Sequence, residues 1–419
     1  MSILGMEIAV IGAGIGGLAA AQALAQRGAQ VTVLEQAEAI REVGAGLQVS
    51  PNGAAVLEAL GLGEALRAAS VRAQAVSLRD YRGACAEVLR LDLTRLKEQS
   101  YYFTHRADLI DILAKGAREC GVQIRLLQKV VSVSDAGSDA GSDRRAQVHM
   151  ANGDRMSADL VIDAGGLHGQ GRAVLNRAAE PFFTGQVAWR ATVENSDAEL
   201  GGPDLGGPDL GGGFDVQSPE ARVYMGPQRH LVCYPLRGGA RLNIVAVQER
   251  SLWAEEDWSH QDDPSNLRAA FADFGPQVQQ ILARVDEVHL WGLFRHPVAE
   301  HWHGSALALL GDAAHPTLPF LAQGASMALE DAWVLGDALA HSDSLGAGLA
   351  AYQARRRPRA LRVIEAASKN AWKYHLGHGP VRFGAHLALR LGGALAPERM
   401  MRSFDWLYAH DVTKTGGAA

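Results

Sequence analysis

The chain has few cysteines, no long apolar run and no excess of positive charge. Three cysteines occur among 419 residues, Cys85, Cys120 and Cys233, and their spacing matches neither a metal site nor a disulfide framework. We therefore expect a protein of the reducing cytoplasm that binds no metal. An apolar run of about eighteen residues, long enough to span a membrane, does not occur. We expect no signal peptide either, because the first residues include no basic segment.

The charge balance is mildly acidic. The formal net charge is −6 at pH 7, which gives no indication of a nucleic-acid partner. The one basic run, at residues 355–359, lies in an alanine-rich helical stretch, and we interpret it as a solvent-exposed helix face. A chain of this length buries a large core, and its even composition favours two interleaved domains over two tandem ones.

The first forty residues carry a dinucleotide-binding pattern. An apolar stretch predicts a strand over Ile8–Ile11, and Gly12, Gly14 and Gly17 follow it immediately before an alanine-rich helix. A second apolar strand then ends at Glu35. In this context the glycines allow a tight turn, close approach of a pyrophosphate and close helix packing, while the acid can accept hydrogen bonds from a ribose. The alternative is a glycine-rich turn in an α/β protein that binds no nucleotide.

The rest of the chain alternates between strands and helices. A buried strand at 159–163 returns the chain to the first sheet, and apolar alternation predicts an antiparallel sheet beyond residue 181. Two low-complexity inserts, at 134–143 and 201–213, lack the side chains to build a core and are predicted to be surface loops. Helices are predicted over 53–60, 107–120, 264–284, 324–339 and most of 346–410.

A third pattern, at 311–332, identifies the family. It reads GDAAHPTLPFLAQGASMALEDA and follows a short apolar strand. Together with the first glycine turn and the strand ending at Gly166, it resembles the single-component FAD-dependent aromatic hydroxylases. The branch is that of salicylate hydroxylase, 3-hydroxybenzoate 6-hydroxylase and 6-hydroxynicotinate 3-monooxygenase. The resemblance runs almost end to end, outside the two inserts.

This resemblance implies an α/β fold in which a Rossmann-like FAD-binding domain is interleaved with an antiparallel-sheet substrate domain and followed by C-terminal helices. By analogy the FAD-binding domain takes residues 1–70, 101–180 and 290–345, the substrate domain 71–100 and 181–289, and the helical region 346–419. The family's FAD-contacting positions correspond here to Gly12, Gly14, Gly17, Glu35, Arg41, Arg106, Gly166, Asp312, Pro316, Gly324 and Ala325.

The resemblance also implies a catalytic pair on one strand. His230 and Tyr234 are four residues apart, so both side chains project from the same strand face. They match a histidine and a tyrosine that line the active site in this branch, whereas the residues alone would equally suit hydrogen-bonded packing. Histidine titrates near neutrality and can take a proton from a phenol. Substrate contacts are expected from Tyr101, Pro319 and Phe320, the last two making the pocket more apolar than in relatives.

The middle motif departs from the family pattern. Gly165-Gly166 stands where the family has Asp-Gly, and Gly169 stands at its serine position, while Arg172 is kept. The missing carboxylate predicts altered affinity for the nicotinamide coenzyme, which restoring an aspartate at 165 should improve. Asp163 points differently along the strand, and we expect it not to substitute. We interpret His168 as a hydrogen-bonded structural histidine.

The implied activity is an FAD-dependent monooxygenase, a monomer or homodimer. It would use NADH or NADPH and O₂ to hydroxylate a small phenolic or hydroxy-heteroaromatic acid through a flavin C4a-hydroperoxide. Two alternatives share the fold: a flavin-dependent reductase of prenyl or quinone substrates, and a binding protein that has lost catalysis.

Overall fold

The computed structural model describes residues 3–40, 45–83, 86–96, 100–135, 145–177, 180–194, 219–250, 260–377 and 379–414. Arg41, Cys85 and the insert at 201–213 lie outside these ranges, as does nearly all of the insert at 134–143. The expectations placed on them stay predictions.

The strands of the described residues are numbered here in chain order. They are β1 (Glu7–Ile11), β2 (Gln30–Leu34), β3 (Gly46–Val49), β4 (Val71–Arg72), β5 (Ala75–Asp80), β6 (Glu87–Asp92), β7 (Tyr102–His105), β8 (Gln123–Arg125), β9 (Val130–Ser134), β10 (Ala146–Met150), β11 (Arg155–Ala158), β12 (Leu160–Asp163), β13 (Phe182–Glu194), β14 (Glu220–Gly226), β15 (Arg229–Leu236), β16 (Arg241–Glu249), β17 (Gln261–Asp262), β18 (Val288–Arg295) and β19 (Leu307–Leu309).

The α-helices of the same residues follow. They are α1 (Ile15–Ala25), α2 (Pro51–Ala59), α3 (Gly63–Ala69), α4 (Arg106–Glu119), α5 (Gln170–Leu175), α6 (Pro264–Ala270), α7 (Pro276–Ala283), α8 (Gly324–Ala340), α9 (Leu345–Tyr374), α10 (Pro380–Leu395), α11 (Pro397–Arg402) and α12 (Asp405–Tyr408). Within these described helices, none combines the length and the apolarity needed to cross a bilayer.

A five-stranded parallel sheet forms the first layer of the fold. Its order is β19-β12-β1-β2-β8, and every neighbouring pair is parallel. Helices α1, α4 and α8 bury apolar side chains against one face, and the three-stranded meander β9–β11 covers the other. The predicted strand–turn–helix–strand start and the return of the chain at β12 are confirmed.

The second layer is an eight-stranded sheet of order β17-β18-β13-β16-β15-β14-β5-β6. All its pairs are antiparallel except β14 with β5, which is parallel. Helices α6 and α7 pack on one face through an apolar cluster that includes Trp189 and Phe271. The opposite face is turned toward the parallel sheet. The sheet takes strands from both sides of β7, so the two layers are interleaved along the chain; the domain boundaries themselves stay a prediction.

The helix predicted over 264–284 is wrong, since two helices form there. The first ends at Ala270, and the second starts at Pro276 with Gly275 as its N-cap in extended conformation, φ −62° and ψ 168°. Proline has no N–H and fixes its own φ, which suits the first position of a helix and interrupts the interior of one. The Gly-Pro pair was a helix-start signal in the sequence.

The basic run at 355–359 is a solvent-exposed face only in part, because Arg355 is exposed whereas Arg356 and Arg359 are buried. The Arg356 and Arg359 side chains on α9 are buried against two carboxylates of α8. Arg356 donates to Asp331 at 2.6 Å and to Glu330 at 2.5 Å, and Arg359 donates to Glu330 at 2.7 and 2.8 Å. Asn52 adds a hydrogen bond to Glu330 at 2.6 Å. This buried ion cluster fixes α8 to α9 and α2.

The ion cluster makes the stability of the fold depend on pH. Burial by itself would raise the pKa of Glu330, but the charge of Arg356 and the hydrogen bonds of Arg359 outweigh it and lower that pKa to about 2. Asp331 is likewise lowered to about 2, by His315 and Arg356 against burial. A lowered carboxylate pKa contributes stability in full above its unfolded value, roughly 4, and loses it as the pH falls toward 2.

We expect the melting temperature to drop steeply between about pH 4.5 and pH 2 in the natural chain. Glu330→Gln should melt lower at pH 7, because two buried arginines lose a charged partner, but should show a shallower decline on acidification. Thermal melts across this pH range measure both effects. Glu64→Gln, at an exposed acid in the first turn of α3, is the control that should keep the natural slope. Parallel curves for Glu330→Gln and the natural chain would contradict the assignment.

Candidate active site

A cavity of about 820 Å³ runs between the carboxyl end of the parallel sheet and the free face of the eight-stranded sheet. One end is lined by the glycine turn after β1 and the other by β14, β15, β16 and the C-terminal helices. Ligands of open α/β sheets bind beyond the carboxyl ends of the parallel strands. The cavity therefore joins a nucleotide position to an apolar chamber.

The glycine turn is shaped by close backbone contacts. Gly12 has φ +94°, and a Cβ there would lie 2.9 Å from the Ala164 carbonyl oxygen. A Cβ on Gly17 would lie 2.1 Å from the Gly12 carbonyl oxygen, so α1 can approach β1 only with glycine at that position. Gly14 differs, because a Cβ there would meet nothing within 4 Å. Its free side faces the cavity, where a phosphate chain can approach the backbone.

Glu35 closes the turn at the end of β2. Its carboxylate accepts hydrogen bonds from the backbone N–H groups of Ala13 at 2.8 Å and Ala37 at 2.9 Å. These contacts hold the acid beside the glycine turn, and Glu35 still lines the cavity. The spacing between the glycines and Glu35 in the sequence predicted this position of the carboxylate.

Arg106 and Asp312 bring opposite charges to the middle of the cavity. Burial and the neighbouring Arg190 lower the pKa of Arg106 to about 10. Burial also raises the pKa of the Asp312 carboxyl, even though its side chain is solvent-accessible. Asp312 lies deep in the protein and lines the cavity, so its carboxyl is desolvated by the surrounding protein and still accessible from the cavity. Helix α8 begins next to it, with Gly324 and Ala325 on the cavity wall, and its first N–H groups carry partial positive charge.

His230 and Tyr234 lie on the wall of the apolar chamber. Both project from the same face of β15, as their spacing predicts, and line the cavity with Val232 between them. Burial and the adjacent His375 hold the pKa of His230 well below its usual range. Burial raises the pKa of the Tyr234 hydroxyl, whose ring packs 5.0 Å from that of Phe103.

The structure brings most of the predicted positions to this one cavity. Gly17 and Pro316 are not on its wall, and Gly17 acts in packing instead. The predicted residues that line it are Gly12, Gly14, Glu35, Tyr101, Arg106, Gly166, His230, Tyr234, Asp312, Pro319, Phe320, Gly324 and Ala325. His168 is an exposed lining residue whose ring has no hydrogen-bond partner among the described residues, so its interpretation as a hydrogen-bonded structural histidine is wrong.

Sequence reasoning missed several polar groups of the cavity. Arg190 lines it and donates to the Gly46 carbonyl at 3.2 Å, at the point where β3 touches the large sheet. Tyr101 donates to Gln48 at 2.7 Å. A charged residue within the apolar alternation of β13 was a usable signal for Arg190. Gln48 carried none, because its partner Tyr101 is 53 residues away in the sequence.

The family of the chain identifies the dinucleotide that suits this cavity. The FAD binding domain family matches residues 5–367 of the chain. The chain belongs to this family.

The similarity to known proteins extends over nearly the whole length of the chain. The 3-amino-4-hydroxybenzoate 2-monooxygenase of Streptomyces platensis is 32% identical over 416 residues, 98% of this chain and 97% of the relative. The 3-hydroxybenzoate 6-hydroxylase of Klebsiella oxytoca is 30% identical over 415 residues, 96% of each. Among solved structures, Klebsiella pneumoniae HpxO complexed with FAD and uric acid matches with a TM-score of 0.76 at 25% identity, covering 95% of both chains. The protein is an FAD-dependent aromatic monooxygenase, and the resemblance stated above is confirmed.

The residues present fit FAD. The open side of Gly14 leaves room for a pyrophosphate, Arg106 supplies a buried positive charge, and Asp312 presents an accessible carboxylate deep in the molecule. A dinucleotide with hydroxyl and phosphate groups satisfies all three. The start of α8 then favours negative charge at the flavin end of the cavity.

The departure at Gly165 has a structural explanation. The Asp163 carboxylate turns inward and accepts the backbone N–H of Gly165 at 2.9 Å and of Gly171 at 2.5 Å. A Cβ at Gly169 would lie 2.5 Å from this carboxylate, so the family's serine does not fit beside it. Asp163 therefore orders the turn from inside and, as expected, does not replace the aspartate that the family has at the position of Gly165.

The expectation that Gly165→Asp alone improves coenzyme binding is revised. A Cβ at 165 would lie 3.0 Å from the Asp163 carboxylate, so the new acid meets crowding and like charge. We expect a cost of roughly 1–3 kcal/mol, measured by denaturant unfolding, and no fall in the KM for NAD(P)H. In the Asp163→Asn background the cost should shrink, because the repulsion is removed at constant size. Equal costs in both backgrounds would contradict this explanation.

Proposed function

We propose that this flavoprotein hydroxylates a phenolic aromatic acid of the hydroxybenzoate type, with NADH or NADPH as electron donor and O₂ as co-substrate. The observation that carries the proposal is the position of His230 and Tyr234 on the wall of a cavity whose other end is the dinucleotide turn. The names of the relatives, hydroxybenzoate monooxygenases at 30–32% identity, support the substrate class. We place the reaction in the cytoplasm, on a monomer or homodimer.

Bound FAD supplies the redox chemistry, since it takes electrons from the nicotinamide and activates O₂. The protein supplies the proton chemistry and the enclosure. His230 accepts the proton of the substrate hydroxyl. The resulting phenolate has an aromatic ring that is electron-rich enough to react with activated oxygen. Tyr234 orients the substrate or the histidine. Valine, methionine, phenylalanine and tryptophan side chains line the rest of the chamber and exclude water from the reacting atoms.

The test is a panel of hydroxybenzoates and hydroxypyridines incubated with the yellow holoenzyme and NADH or NADPH. We expect at least one hydroxybenzoate to stimulate coenzyme oxidation and to yield a product one oxygen heavier, measured by mass. Benzoate, which lacks the hydroxyl, is the matched control and should give no product. Coenzyme oxidation that responds to quinones but to none of the aromatic acids would favour the reductase alternative.

A further inference from the structure

Two histidines and a carboxylate form a continuous chain of hydrogen bonds from the chamber to the surface. Nδ1 of His230 lies 2.6 Å from Nε2 of His375, and Nδ1 of His375 lies 2.8 Å from a carboxylate oxygen of Glu249. His230 is 3% exposed and the His375 side chain 1%, while the Glu249 side chain is 37% exposed. The chain thus begins in the buried chamber and ends at solvent.

Backbone hydrogen bonds hold the ends of this chain together. The N–H of Gln228, in the turn between β14 and β15, donates to the His375 carbonyl at 3.3 Å, and the Gln228 carbonyl accepts from Glu249 at 2.8 Å. One residue therefore ties the end of α9 to the end of β16. The three side chains are consequently held in register although they are far apart in the sequence.

The carboxylate sets the direction of the protons. An ionised Glu249 only accepts, so His375 must carry its proton on Nδ1. Nε2 of His375 then carries a lone pair and accepts a hydrogen bond from the N–H at Nδ1 of His230. Nε2 of His230, which has no hydrogen-bond partner among the described residues, is left unprotonated for the chamber. This is the form of the ring that a general base requires.

We propose that His230, His375 and Glu249 form a proton relay that carries the phenol proton from the substrate to solvent; this inference rests on the proposed function. The substrate O–H bond breaks as Nε2 of His230 takes the proton. Nδ1 of His230 passes its own proton to Nε2 of His375, and Nδ1 of His375 passes its proton to Glu249, which releases it to water. One proton leaves the substrate, one reaches solvent, and no electron moves.

The surroundings of His230 make such an exit necessary. Its neighbours are the rings of Phe320, Tyr374 and His375, with centroids 6.1, 5.3 and 4.8 Å away. An apolar, buried position disfavours a charged imidazolium, so the proton does not rest on His230. Glu249 is the acid on β16 that receives it. His375 and Glu249 thereby act through His230 and are positioning and transfer groups, not residues that touch the substrate.

The first test needs no substrate. In ¹⁵N-histidine-labelled holoenzyme at pH 7.5, with signals assigned through His230→Gln and His375→Gln, nitrogen shifts report which ring atom carries the proton. We expect both rings to be neutral with the proton on Nδ1, and Glu249→Gln to change this pattern. Glu194→Gln is the matched control, because Glu194 is an exposed acid at the opposite end of the β13–β16 ladder. His230 protonated on Nε2, or no response to Glu249→Gln, overturns the proposal.

The second test follows the proton. Holoenzyme is mixed with 3-hydroxybenzoate in weak buffer with a pH indicator, and proton release is timed by stopped flow. We expect Glu249→Gln to slow release about 10-fold or more, within what loss of a proton-transfer partner costs, while Glu194→Gln matches the natural enzyme. Acetate should restore the rate in Glu249→Gln, since a small base can reach the surface end of the relay. Slow release that acetate does not restore would indicate a purely structural role.

The two tests separate the possible failures. If no aromatic acid is turned over, the proposed function fails, but the nitrogen shifts still decide whether the relay exists. If turnover occurs and the shifts show the opposite direction of protonation, the proposed function stands and the relay is overturned.

Discussion

Replacing His230 with alanine should uncouple the enzyme. Reduction of FAD by NAD(P)H does not require the phenol proton to leave, so substrate-stimulated coenzyme oxidation should persist. Oxygen transfer requires the phenolate, and loss of the base should slow it by roughly 10²- to 10⁴-fold. Product formed per NAD(P)H therefore falls while hydrogen peroxide rises. Raising the pH should partly restore product, because a phenol with a pKa of about 10 then ionises unaided.

Tyr234→Phe is the comparison for this variant. It keeps the ring that packs on Phe103 and removes only the hydroxyl, so product per NAD(P)H should fall less than in His230→Ala. Product yield, peroxide and coenzyme oxidation are measured side by side for both. A His230→Ala enzyme that remains fully coupled at neutral pH would exclude His230 as the base and direct the search to Tyr101, which also lines the cavity.

Gly14→Val should yield a folded protein that purifies without FAD. Gly14 has φ −76° and ψ −178°, an extended conformation that valine adopts freely, and a Cβ there meets nothing within 4 Å. The polypeptide alone therefore tolerates the side chain. The pyrophosphate does not, because its approach to the backbone depends on the missing Cβ. The flavin absorbance per protein should fall from near one FAD to near none.

Gly384→Val controls for the substitution itself. Gly384 is exposed on α10, away from the cavity, and a Cβ there also meets nothing within 4 Å. This variant should retain FAD. Circular dichroism shows whether each chain has folded. A Gly14→Val protein that carries a full complement of FAD and remains active would refute the position assigned to the pyrophosphate.

Local patterns predicted the local parts of this molecule. The strand, glycine turn and helix at the N-terminus follow from adjacent residues, and the shared face of His230 and Tyr234 follows from strand periodicity. The break at Gly275-Pro276 was equally local and was overlooked.

Partners distant in sequence could not be found in this way. Arg356 and Arg359 read as solvent-facing because the carboxylates that bury them, Glu330 and Asp331, belong to another helix. The relay depends on His375, 145 residues from His230 and 126 from Glu249. The inward turn of Asp163 required knowing that Gly169 lies against it.

The order of strands in the parallel sheet also has a consequence for biosynthesis. β1 lies between β2 and β12, so it has a neighbour on both sides only after β12 has been made. The edge strand β19 comes later still and ends at Leu309. At a translation rate of about 5–20 residues per second, roughly 15–60 s separate β1 from β19 on the ribosome. During that interval the FAD-binding layer lacks its last strand. Completion of the sheet and binding of the cofactor are therefore late events in the synthesis and folding of the chain.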